Sequence, residues 1–162
     1  MSSRTLYSLG FLLAAFCLGG AFYLQEVKGM APCPLCMMQR YALMAMSVLF
    51  LIGALGHFRK LGQYLICYSA LFVSFIGMVF AGRQAWLQYF PTPTNGDCGV
   101  SIEYLFKVLP WEEILPKLWQ GGAECSHLGF QFLNLSLAEW CLFVFLFFIG
   151  FIFMLLKRVA SR

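Results

Sequence analysis

The chain has 162 residues, of which 61% are hydrophobic and 11% charged, with a formal net charge of +4. Soluble domains carry about 25% charged residues, so this chain cannot coat a water-soluble globule, and its length suits a single membrane-embedded domain. No basic run is present, so nucleic acid is not an implied partner.

Four segments have the polarity of membrane spans: residues 6–24, 38–56, 61–82 and 137–156. A span needs roughly 20 apolar residues. The uncharged stretch of the second, 41–56, approaches that length only if its helix begins near Leu35, and that of the fourth, 140–156, gains length from Leu135 and Leu137. Segments this apolar are predicted to be helical, because hydrocarbon cannot satisfy an open backbone. The first segment, flanked by Arg4, is expected to be retained and not cleaved as a signal peptide. Its apolar stretch exceeds a usual signal core, and three more spans follow. Ser136 and Glu139 fit the capping-box pattern at the start of the fourth span.

Charge sorts the two sides. One side takes the amino end, the 57–60 turn and the carboxyl end, with Arg4, Arg59, Lys60, Lys157, Arg158 and Arg162 and no acid. The other takes all seven acids, together with Lys28, Arg40, Arg83, Lys107 and Lys117. The first group lies in short segments beside the spans, where basic residues mark the cytoplasmic side. Both termini are therefore expected in the cytoplasm, and the loops 25–40 and 83–139 outside it.

Cys17, Cys67 and Cys141 fall within spans and read as small, buried, neutral side chains. The remaining four of the seven cysteines fall two in each outward loop. Disulfides persist outside the cytoplasm, so this sorting points to redox chemistry or to stapling. Residues 33–36 read Cys-Pro-Leu-Cys at the mouth of a helix, the arrangement of a redox-active pair, although Cys-x-x-Cys also begins zinc sites. Arg40 lies four residues after Cys36, on the same helical face, where a guanidinium favours a thiolate or a negatively charged acceptor. An interfacial anchor is the alternative for Arg40.

In the second outward loop, residues 91–97 are turn-rich and too polar for a core. They precede Cys98, and so suit a cysteine that must meet a partner protein. Asp97 opposes a thiolate at Cys98, whose reactivity must then come from exposure and loop strain. Ile102, Leu105, Phe106 and Leu109 share one helical face, as do Ile114, Leu115 and Leu118. With Trp111 and Trp119 they predict short amphipathic helices on the membrane surface. The bland alternative for Cys98 and Cys125 is a structural disulfide, worth about 3–4 kcal/mol on the chain-entropy model. Arg83, at the outward end of the third span, is a candidate to hold a ligand head group or an interface anchor. His57 reads as solvated, and His127, two residues past Cys125, is either a base for thiol activation or, as is more usual, solvated.

Residues 33–40, Cys-Pro-Leu-Cys-Met-Met-Gln-Arg, resemble the signature of the bacterial disulfide bond formation protein B (DsbB) family. Also similar are the four spans with one cysteine pair per outward loop, the 83–88 stretch Arg-Gln-Ala-Trp-Leu-Gln, the 121–125 approach to Cys125 and the 133–140 approach to the last span. One departure is visible: Phe132 stands where the family pattern leads one to expect tryptophan. The resemblance implies an all-α membrane protein, a four-transmembrane-helix bundle with two periplasmic loops, in the bacterial inner membrane. It implies a thiol oxidase in which Cys33–Cys36 and Cys98–Cys125 are the resting disulfides. A reduced, thioredoxin-fold dithiol oxidase (DsbA-like) attacks Cys98, and the released Cys125 attacks Cys33 to form a transient interloop bond. Cys36, beside Arg40, then donates through a transient adduct to ubiquinone or menaquinone from the membrane pool. No metal is implied. Each step is a thiolate attack on a disulfide sulfur. A structural disulfide sits below about −300 mV, whereas re-oxidising a partner near −120 mV demands a far more oxidising pair. Two other readings remain open: a structural zinc site built from the four loop cysteines, and a scaffold with stapled loops.

Overall fold

The computed structural model describes residues 3–29, 33–90, 107, 110–120 and 131–161. It contains four long helices, α1 (Ser3–Lys28), α2 (Pro34–Leu55), α3 (Lys60–Tyr89) and, after a short helix α4 (Trp111–Gln120), the last helix α5 (Leu137–Ala160). All four long helices are long and apolar enough to cross a membrane. A two-stranded antiparallel hairpin, β1 (Gln131–Phe132) and β2 (Leu135–Ser136), precedes α5.

Neighbouring helices pack in sequence, α1 on α2, α2 on α3 and α3 on α5, and α1 also touches α5. The interior is filled by Phe50, Met46, Phe145, Phe148, Ile152 and Leu155. The Phe50 ring lies 5.9 Å from that of Phe148 and meets Phe151 edge-on at 6.1 Å. Large apolar side chains also cover the outside, with Phe16 80% and Leu61 73% exposed. A surface of this kind is stable only against hydrocarbon. This is therefore a multi-pass, four-helix membrane protein.

Small residues set the helix spacing. A Cβ on Gly77 would lie 2.3 Å from the Phe145 ring, so α3 and α5 approach this closely only because that position carries no side chain.

The helices run past the apolar stretches legible in the sequence. Arg83 interrupts the hydropathy of α3 but not its hydrogen bonding, and the helix continues to Tyr89. That extension carries Gln84 and Leu87 alongside the start of α2. Pro34 opens α2 at a first-turn position, where its missing N–H costs nothing. The capping box of α5 forms as its sequence predicts: Ser136 Oγ accepts from the Glu139 amide at 3.3 Å, and Glu139 Oε2 accepts from the Ser136 amide at 2.7 Å. The other oxygen, Oε1, accepts from Tyr89 Oη at 2.7 Å and so ties the end of α3 to the start of α5.

The hairpin was not legible as one. Its turn residues, Leu133 and Asn134, have φ of 55° and 61°. Two consecutive positive φ values are what a primed two-residue turn requires. The usual glycine is absent, and a leucine occupies the left-handed region instead.

Candidate functional site

The Cys33-to-Cys36 motif is also the cap of α2. Cys33 is the N-cap residue, with extended backbone at φ −68° and ψ 161°. Its sulfur accepts from the Cys36 amide at 3.4 Å, and its carbonyl accepts from the Met37 amide at 3.1 Å. The two sulfurs lie 3.1 Å apart, so closing a disulfide of about 2.05 Å needs a movement of only about 1 Å. The helix N-terminus adds the partial positive charge of its unpaired amides, which favours negative charge on either sulfur.

Leu87 and Phe80 of α3 close over this pair, and Cys33 and Leu35 are buried beneath them while Cys36 is half-buried. The apolar lid excludes water and strengthens every polar contact within.

Those contacts come from amides. Gln84 Nε2 donates to Cys36 Sγ at 3.0 Å, and Gln84 Oε1 lies 3.4 Å from the same sulfur, within reach of a thiol proton. Gln39 Nε2 donates to Gln84 Oε1 at 2.7 Å. Gln84 and Gln39 are only 5% and 3% exposed. One side-chain amide can therefore serve both states of Cys36, accepting from its thiol and donating to its thiolate.

Arg40 is 9% exposed and turns toward α1. Its Nη1 donates to Gln25 Oε1, and its Nη2 donates to the Ala21 carbonyl at 3.1 Å. The guanidinium lies over the Phe22 ring at 5.2 Å. The charge thus sits one helical turn from Cys36 but is held by neutral groups. Among the described residues no carboxylate pairs with it, so its field remains available to an anion nearby.

Arg83 is engaged elsewhere. Its Nε donates to the Trp119 carbonyl at 3.0 Å, and its guanidinium lies 5.5 Å from the Trp119 ring centre. These contacts pin α4 to α3. On α4, Ile114 is buried and Glu112 and Glu113 are exposed, the amphipathic division its sequence predicts. The helix also touches α2.

Cys98, Cys125 and His127 lie outside the described residues, as do the first predicted amphipathic face and the side chain of Phe132. Of the three span cysteines, Cys67 is buried and lies 3.3 Å from Tyr7 Oη, while Cys17 and Cys141 pack against the core. The amides Gln25, Gln39 and Gln84 were missed by sequence reasoning. Their signal was present: polar side chains inside otherwise apolar helices mark sites of function.

A model of the family described as Disulfide bond formation protein DsbB matches residues 3–155. The chain belongs to the DsbB family. It is 35% identical to a Disulfide bond formation protein B of Marinobacter nauticus, over 100% of this chain and 97% of the relative. It is 37% identical to one of Hahella chejuensis, over 90% of this chain and 88% of the relative. A Methylococcus capsulatus protein of the same name is 34% identical over 90% of this chain and 88% of its own length. As a DsbB-family protein, the chain is a disulfide-forming membrane oxidoreductase. Its work is disulfide exchange with a partner.

Proposed function

We propose that this DsbB-family protein re-oxidises a periplasmic, thioredoxin-fold dithiol oxidase (DsbA-like) and passes the electrons to ubiquinone or menaquinone in the bacterial inner membrane. The observation that carries the proposal is Cys36 Sγ, 3.1 Å from Cys33 Sγ and 3.0 Å from the amide donor of Gln84, at a helix N-terminus one turn from Arg40. Charge sorting supports an orientation with both termini in the cytoplasm and the four loop cysteines in the periplasm.

A thiolate of the reduced partner attacks Cys98 Sγ, breaking the Cys98–Cys125 bond and releasing the Cys125 thiolate. Cys125 attacks Cys33 Sγ, breaking Cys33–Cys36 and releasing the Cys36 thiolate. The partner's second thiol displaces Cys98 and completes the partner's disulfide. Cys98 then attacks Cys125, restoring Cys98–Cys125 and releasing Cys33. The net product is an oxidised partner and a Cys33/Cys36 dithiol that holds two electrons and two protons.

The residues around Cys36 suit an apolar acceptor ring bearing carbonyl oxygens. Arg40 and Gln84 present N–H donors, while Phe22, Phe80 and Leu87 present apolar walls. Bound quinone supplies the sink for two electrons and two protons. Gln84 holds the departing charge on Cys36, Arg40 supplies a positive field, and the Leu87 and Phe80 lid keeps water from the thiolate. The observed bonds of Arg83 suit a role in holding α4 over this end of the bundle.

The test is quinone reduction by purified protein supplied with a reduced thioredoxin-fold partner. Cys36→Ser is expected to abolish turnover and Arg40→Ala to slow it at least tenfold. Wild-type rates in both variants would refute the site. Membrane-impermeant thiol labels, applied to intact cells after reduction, should reach Cys98 and Cys125. Labelling of the two pairs from opposite sides would end the relay scheme.

A further inference from the structure

Cys36 and Gln39 lie three residues apart on α2 and share one face of that helix, the face that meets Gln84 of α3. The three side chains form a line of contacts. Gln39 Nε2 donates to Gln84 Oε1 at 2.7 Å, and Gln84 Nε2 donates to Cys36 Sγ at 3.0 Å.

A side-chain amide has a direction. One end donates and the other accepts, and a half-turn of its last torsion exchanges them with almost no change of shape. For Gln84 the exchange has a consequence. A donor facing the sulfur favours the thiolate, and an acceptor facing it favours the thiol. The donor is the nearer of the two, with Nε2 at 3.0 Å and Oε1 at 3.4 Å. Turning Gln84 alone would set its Nε2 against Gln39 Nε2, two donors with no acceptor between them. Solvent would make good such a loss on an open surface, but Gln39 and Gln84 are 3% and 5% exposed. The direction seen at Cys36 is therefore set one residue further back, by the end of its amide that Gln39 presents.

We infer that Gln39 is a positioning residue for the redox reaction of Cys36: by donating to Gln84 Oε1, it keeps the Gln84 N–H turned toward the sulfur that leaves the Cys33–Cys36 bond with its electron pair. The purpose of this arrangement rests on the relay proposed above, whereas the direction of the amides does not. The influence of Gln39 passes through Gln84. The other titratable and charged groups around the sulfur are Cys33 at 3.1 Å, Arg40 one turn along α2 and Cys141 at the start of α5. A substitution at Gln39 leaves each of them in place.

The test reads the ionisation of Cys36 in reduced, full-length protein in detergent. Its observable is the pH dependence of alkylation by iodoacetamide, with the modified peptide identified by mass spectrometry. The thiolate is the reacting form, and neither quinone nor partner is needed. Gln39→Met keeps an unbranched side chain and removes the donor. At a pH below the wild-type midpoint it is expected to slow alkylation roughly three- to tenfold, as weakening a hydrogen bond to a charged group would. In a Gln84→Leu background the same substitution should change the rate by less than about twofold, because the amide through which it acts is gone. Gln39→Glu is the second variant, and it decides the matter if Gln39→Met does not fold. A carboxylate only accepts, so it draws Gln84 Nε2 away from the sulfur. Its slowing should be greater with Gln84 present than in Gln84→Leu, where the added charge acts alone. No slowing in Gln39→Met, or equal slowing by either variant in both backgrounds, would overturn the inference. Quinone reduction by the wild type is measured alongside. Protein that alkylates as expected yet reduces no quinone would refute the relay and leave the role of Gln39 at the sulfur standing.

Discussion

Gln84 and Cys36 meet across the α2–α3 interface, with the amide Nε2 of the glutamine 3.0 Å from the sulfur. A hydrogen bond to a charged acceptor contributes about 1.5–3 kcal/mol, and this one strengthens as Cys36 becomes a thiolate. Gln84→Leu keeps the helix and approximates the side-chain volume, and it removes the donor to Cys36 together with the acceptor of Gln39 Nε2. Quinone reduction in this variant is expected to fall by roughly tenfold or more. Thiolate absorbance in the ultraviolet, followed against pH, should show Cys36 ionising at higher pH than in the wild type. An unchanged titration would mean that Gln84 does not hold the charge.

Arg83→Ala removes the contacts that pin α4. The loss is exposed and small in energy, under about 1 kcal/mol. Its expected signature is local: amide hydrogen exchange across Trp111–Gln120 should quicken several-fold while α2 and α3 remain protected. Quinone reduction should stay within about twofold of wild type, since the side chain faces Trp119. A loss of quinone affinity with unchanged exchange would instead place Arg83 at the acceptor.

Glu139 serves two partners with two oxygens. Glu139→Ala breaks the capping box and the link to Tyr89 together, and is expected to cost about 1–2 kcal/mol. Tyr89→Phe removes the link alone and should cost less than half as much. Thermal unfolding of the two variants in one detergent measures the split. Equal losses would show that the tie between α3 and α5, and not the cap, carries the stability.

Leu133 holds a left-handed backbone with its side chain 73% exposed. The conformation costs a non-glycine residue about 1–2 kcal/mol, and little packing is lost on replacement. Leu133→Asn, whose side chain tolerates this region, is expected to raise the unfolding midpoint by a few degrees. A lower midpoint would mean that the leucine contributes to a contact made in the bilayer.

The broad architecture was readable because its cause is composition. Four strongly apolar stretches have one stable form in hydrocarbon, and the Ser136/Glu139 cap marked the start of the last. The Cys-x-x-Cys motif and Arg40 were readable because their chemistry depends on spacing along one helix. Gln84 was not, because its role depends on α3 continuing past Arg83, and hydropathy falls there while helical hydrogen bonding does not. The direction of Arg40 was also hidden. Its partners Gln25, Phe22 and the Ala21 carbonyl belong to α1, and no periodicity within α2 reveals what a neighbouring helix offers. The hairpin escaped because Leu133 and Asn134 lack the glycine that usually announces such a turn.

In the relay proposed above the sulfur of Cys33 carries electrons, and it also fastens the first turn of α2, accepting the Cys36 amide. Whenever that sulfur bonds to a cysteine elsewhere, its lone pairs are redirected and the amide must find another acceptor. Oxidation and reduction are therefore written into the backbone at the mouth of α2. If the proposed relay operates, each cycle unlatches that helix end and latches it again, and main-chain motion there should report the redox state.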